Sequence, residues 1–155
     1  MINRSFKQFK FQHKRKKNQI IYTSKKVKDD NDVLNLIDNF LIEKNSFIFE
    51  SVEKGKIKGR YTIFGKNPDK IWEFKNNNSY IITKNKKIKL KDKPENLIEK
   101  VIEDFKFETP KNLPKICSLI SGFFSYDAIR YIEKIPNNCQ DDLNLPDVRL
   151  LRPRT

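Results

Sequence analysis

Residues 46–65 read SFIFESVEKGKIKGRYTIFG. Two short runs rich in aromatic and branched residues, Ser46 to Val52 and Arg60 to Phe64, flank a lysine-rich connection carrying Gly55 and Gly59. That pattern predicts neighbouring strands joined by a solvated loop. Period two puts Phe47, Phe49 and Ser51 on one face and Ile48, Glu50 and Val52 on the other. A glutamate sharing a face with Ile48 and Val52 is expected to be half-buried. An unpaired buried polar group costs roughly 2–7 kcal/mol, and a charge costs more. Glu50 therefore calls for a cationic partner: a loop lysine, Arg60, or the ammonium group of a ligand. An amino acid would present such a group, and the hydroxyl of Ser51 would complete its cage. Lys54, Lys56 and Lys58 are most simply a solvated loop.

Upstream, residues 1–18 form a basic opening with Phe6, Phe9 and Phe11 set among lysines. Phe6 and Phe9 stand three apart, as in a short amphipathic helix docked on the domain. The same interleaving could stack on single-stranded bases, but docking is the expected role. His13 is expected to be solvated. Gln19 to Thr23 is a strand candidate. Asp29, Asp30 and Asp32 offer N-caps for a helix spanning Val33 to Leu41, whose apolar positions recur at i, i+3, i+4 and i+7.

Downstream, Asn67-Pro68-Asp69 is a turn. Ile71 to Phe74, Tyr80 to Thr83 and Lys87 to Leu90 follow as strands too closely spaced for parallel crossovers, which predicts an antiparallel meander. Pro94 opens a helix with Leu97, Ile98, Val101, Ile102 and Phe105 on one face. Ile116 to Tyr126 reads as a buried strand, with Gly122 marking a close backbone approach. Asp127 is expected to cap a helix carrying Ile129, Ile132 and Ile135 and ending at Pro136, and Val148 to Leu151 forms a last strand. Tyr126 and Asp127 are read as structural.

The 46–65 stretch resembles the opening of anthranilate synthase component I, whose members read S-F-L-L-E-S-V-E-G-G-x-x-x-G-R-Y-S-F-I-G there. The resemblance continues through Asn67-Pro68-Asp69, Ile71-Trp72, Gly122 to Asp127, Glu133 to Pro136, and Leu145 to Thr155, with Arg154 inserted before Thr155. Many members carry glycine before the Tyr-Asp pair; Ser125 here requires a backbone that avoids positive φ. The resemblance covers residues 19–155, read as an incomplete N-terminal domain behind the basic segment 1–18. It implies that Glu50 and Ser51, with Arg60 at a nearby basic position, hold L-tryptophan as a feedback inhibitor. It implies further that the whole enzyme makes anthranilate and pyruvate from chorismate, with magnesium and the catalytic residues in a later domain. Ammonia would come from a separate glutamine amidotransferase subunit, component II. The expected chain is a regulatory and scaffolding part, inactive alone. Aminodeoxychorismate synthase component I is the nearest alternative, and a basic binding module the rival from another class.

The expected fold is α+β: an antiparallel sheet with helices packed on one side, half of an αββα-like sandwich completed by a C-terminal domain. At 155 residues the chain fits one domain. No apolar run approaches the ~20 residues of a membrane span, and the charged N-terminus lacks the apolar core of a secretory signal. A cytoplasmic protein is expected. Cys117 and Cys139 lack metal-like spacing and read as ordinary thiols. No nucleophile–base pair, phosphate loop or metal cluster is legible. The net charge of +13 invites a nucleic-acid reading, but it reads as a general lysine bias spread along the chain. Neither a nucleic-acid nor a membrane partner is expected.

Overall fold

The computed structural model describes residues 4–15, 18–26, 29–53, 57–84, 86–105 and 109–155. Of Asp30, Phe40, Leu41, Val52, Glu53 and residues 57–60 it describes the backbone alone. The expected loop residues Lys54, Gly55 and Lys56 therefore lie outside the described residues, as do the side chains of Lys58 and Arg60.

The class is α+β, with the strands divided between two antiparallel sheets where one was expected. Strands β1 (Phe47–Glu53) and β2 (Ile57–Gly65) form a separate hairpin. The larger sheet has the order β5-β4-β3-β7-β6. It is built from β3 (Lys70–Lys75), β4 (Asn78–Thr83), β5 (Lys86–Leu90), β6 (Ser121–Phe124) and β7 (Val148–Arg152). The expected meander is β3-β4-β5. Its first turn is Asn76-Asn77, both at positive φ (50° and 59°), the backbone whose twist matches a two-residue hairpin and which asparagine tolerates. The two sheets meet where Lys66 exchanges backbone hydrogen bonds with Arg154 and Thr155, and the turn between β2 and β3 places Asn67 at φ 52°.

Helix α3 (Pro94–Phe105) buries Leu97 and Val101 against Trp72, Phe74, Val148 and Leu150 of the large sheet. The register explains this cluster, since Trp72 faces Leu150 and Phe74 faces Val148 across the β3–β7 pair. Each such side chain removed from water contributes about 1.5–3 kcal/mol. Ile102, expected on this face, is 51% exposed. Helix α2 (Asp30–Leu41) starts as expected, with the Asp29 carboxylate accepting from the Asp32 amide at 3.1 Å. Helix α1 (Phe6–Lys14) forms, closed by a Ser5–Gln8 capping box, but it buries none of its residues. Phe6 is exposed and Phe9 half-buried, so the docking expected through both rings does not form among the described residues. Among the described side chains, α3 is the α-helix whose residues join the buried core of the large sheet.

Three expectations need correction. None of the residues Gln19 to Thr23 is assigned to a strand. Only Ser121–Phe124 of the Ile116–Tyr126 run is strand; Lys115–Cys117 is a 3-10 turn, and Phe123 and Phe124 are exposed. The helix expected to run to Pro136 is a 3-10 turn over Tyr126–Tyr131, leaving Ile132 and Ile135 in solvent. Asp127 does not cap it. Its carboxylate instead accepts from Arg130 Nε at 2.7 Å, and Ser125 at φ −72° takes the N-cap position. That φ is the one serine in place of glycine demands. Gly122 does mark a close approach: a Cβ there would overlap the Arg149 carbonyl.

Candidate functional site

The hairpin does not run in even register. Glu50 pairs with Thr62 and Val52 with Lys58. Ser51 alone therefore faces three residues of β2, Gly59, Arg60 and Tyr61. Extra residues on one strand bend it and sharpen its twist, and such bulges re-aim side chains. The backbone thus gathers Glu50, Ser51 and Arg60 at one irregular point of the hairpin. The Arg60 side chain lies outside the described residues, while the Glu50 and Ser51 side chains are both exposed. The half-buried glutamate expected from Ile48 and Val52 is corrected here. Ile48, nearer the base of the hairpin, is partly covered, and Glu50 is open to solvent.

Beside the hairpin opens a cleft of about 730 Å³, within the usual range for small-molecule sites. Tyr61 and Ile63 of β2, Ile20 and Ile21, and Arg152 and Pro153 contribute to its walls. Glu50 and Ser51 are not among its lining residues; Tyr61, within the bulge, is the link between pair and cleft. Asp69, also on the wall, accepts from Arg152 Nε at 2.7 Å and from its Nη2. Burial alone would raise the Asp69 pKa, but the Arg152 hydrogen bond and charge, helped by Lys70 and Arg154, hold it below the usual carboxylate value.

Two further polar centres escaped the reading of the sequence. Glu73, 8% exposed in β3, is held by Lys87 at 2.7 Å and by Arg149, which also donates to Asn45. A charged residue between Trp72 and Phe74 was the available signal. The second centre is Asp147. Its carboxylate accepts from the Tyr131 hydroxyl at 2.5 Å and the Asn76 amide at 3.0 Å, while its backbone joins Phe74 and Ser125. Both are committed internally, which suits them to holding strands together. Tyr126, read as structural, is 87% exposed. His13 is exposed and stacks on Phe9. Cys117 and Cys139 are free thiols on the surface. Among the described residues no three His, Cys, Asp or Glu gather as metal ligands, and no helix is long and apolar enough to cross a membrane.

The chain is similar to anthranilate synthase component 1 of Cereibacter sphaeroides, 32% identical over 157 residues that cover 96% of this chain and 31% of that protein. The component 1 of Acetivibrio thermocellus is 35% identical across 68% of this chain and 22% of its own length. The chloroplastic alpha subunit 2 of Arabidopsis thaliana is 34% identical across 68% of this chain and 19% of its own. The chain therefore spans a third or less of these relatives. No family model and no solved structure matches it.

Proposed function

Because these relatives place the chain in the anthranilate synthase component I family, we propose that it is the N-terminal regulatory and scaffolding region of such an enzyme, in tryptophan biosynthesis. The observation carrying this reading is the similarity across 96% of the chain. In this reading the whole enzyme converts chorismate and ammonia to anthranilate and pyruvate in the cytoplasm, and component II supplies the ammonia from glutamine. Magnesium and the bond-breaking chemistry belong to residues outside those described here. The anthranilate branch is favoured over aminodeoxychorismate synthesis by the names of the relatives.

L-tryptophan is the proposed ligand of the hairpin. The Glu50 carboxylate holds its ammonium group through a charge-assisted hydrogen bond, Ser51 offers a hydroxyl, and Arg60 supplies the basic group for its carboxylate. What supports this is the convergence of the three positions at the bulge and the cleft wall beginning at Tyr61. The exposure of Glu50 leaves its carboxylate accessible to a ligand.

The test is anthranilate fluorescence from an enzyme containing this chain, recorded with and without tryptophan. Glu50→Gln should weaken inhibition by about tenfold, the size of one charge-assisted hydrogen bond at ~1.4 kcal/mol or more, with turnover little changed. Unchanged inhibition would remove Glu50 from the site. The purified chain alone should form no anthranilate.

A further inference from the structure

Residues 1–28 hold ten of the chain's 33 Lys and Arg and none of its 20 Asp and Glu. Residues 29–155 are consequently near charge balance. The excess read above as a diffuse lysine bias is mostly a property of the N-terminal arm.

Within the arm, α1 repeats one arrangement three times. Lys10 Nζ sits 4.5 Å from the centre of the Phe6 ring, the Arg15 guanidinium sits 5.4 Å from that of Phe11, and His13 stacks on Phe9 at 5.7 Å. Each pair is four residues apart, the spacing that makes helical neighbours. Phe6 is 70% exposed and Phe11 57%. A cation lies over one face of each of these rings. Among the described residues no carboxylate pairs with Lys7, Lys10, Lys14 or Arg15. The helix owes its position to polar contacts: its capping box, Arg4 donating to Gln19 at 3.1 Å, and Asn18 donating to the Asp104 carbonyl at 2.8 Å.

We propose that α1 is a binding arm for single-stranded nucleic acid, with its cations on phosphates and the rings of Phe6 and Phe11 stacked on bases. Charge complementarity restricts the partner to a polyanion. At about 100° per residue, Phe11 stands roughly 140° around the helix from Phe6, so the arm lacks the single apolar face that an acidic membrane surface requires. A duplex hides its base faces, and an acidic peptide offers carboxylates without flat rings. A single strand supplies both phosphates and π-faces. The proposal rests on α1 alone and stands apart from the tryptophan site.

Fluorescence anisotropy of the full chain, with labelled oligouridylate and oligothymidylate across a salt series, tests it. Both should bind, with log affinity falling against log salt with a slope near ~3.5, from about five cations at ~0.7 each. Phe6→Leu with Phe11→Leu should cut affinity about tenfold or more at unchanged slope. Lys7→Gln with Lys10→Gln should lower the slope by about 1.4. Lys86→Gln with Lys89→Gln on β5 should change neither. Since α1 buries no residue, the arm variants leave the core intact. Absence of binding, indifference to the two Phe substitutions, or equal or tighter binding to duplex DNA, polyglutamate or acidic phospholipid vesicles would overturn the proposal.

Discussion

Gly122 stands directly against the carbonyl of Arg149, so close that a Cβ at position 122 would overlap that oxygen and crowd Leu150 Cα. The obstacle is backbone, within the β6–β7 ladder that pairs Gly122 with Leu150, so no side-chain rotation relieves it. Gly122→Ala should destabilise the protein by about 2–3 kcal/mol, near the upper range for overpacking. Urea denaturation measures this. An unchanged midpoint would mean β6 can move away from β7.

Ser79 is 1% exposed, lies opposite Phe74, and its hydroxyl has no hydrogen-bond partner among the described residues. A buried unsatisfied hydroxyl costs about 1–3 kcal/mol, while alanine loses only a few tenths in strand preference. Ser79→Ala should therefore raise stability by roughly 1 kcal/mol. A lowered melting temperature would reveal a partner for the hydroxyl.

The Tyr131–Asp147 contact gives an alkaline limit. Burial, then the Asp147 hydrogen bond and charge, push the Tyr131 phenol well above its ordinary pKa. A raised folded-state pKa means stabilisation that is fully present below the unfolded value near ~10 and lost as pH climbs above it. Tyr131→Phe should cost about 1 kcal/mol at neutral pH. The difference from the parent chain should shrink above pH ~10, measured as melting temperature against pH.

How much of this was legible depends on whether the cause is local. The Asn76-Asn77 turn, the meander, the α2 cap and the tight spot at Gly122 follow from the residues that form them. The Gln19–Thr23 and Ile116–Tyr126 runs have strand composition, yet strand needs a partner. The first run takes no strand assignment, and the second pairs with β7 over four residues only. Asp127 was a sound N-cap candidate until Arg130, three residues on, captured its carboxylate. At the candidate site, the adjacency of Glu50 and Ser51 is written in the chain. The bulge that brings Arg60 opposite them depends on the β1–β2 register, which residue types alone do not fix.

Asp69 and Arg152 clamp the start of β3 to the end of β7, beside the junction of the two sheets. The Asp69 pKa is lowered despite burial, so its stabilisation is present above the unfolded value near ~3.9 and fades as pH falls through the folded one. The Asp69 side chain is 35% exposed, and solvent screening holds the effect to about 1 kcal/mol. Asp69→Asn should lower stability by that amount at pH 7, and the two proteins should converge as pH falls through the lowered pKa of Asp69. The pair also forms part of the wall of the cleft, so a tryptophan titration of Asp69→Asn carries a second reading. Weaker tryptophan binding at pH 7, under conditions where the variant remains folded, would mean that the hairpin site depends on how the end of β7 is held. Unchanged affinity would confine the clamp to stability.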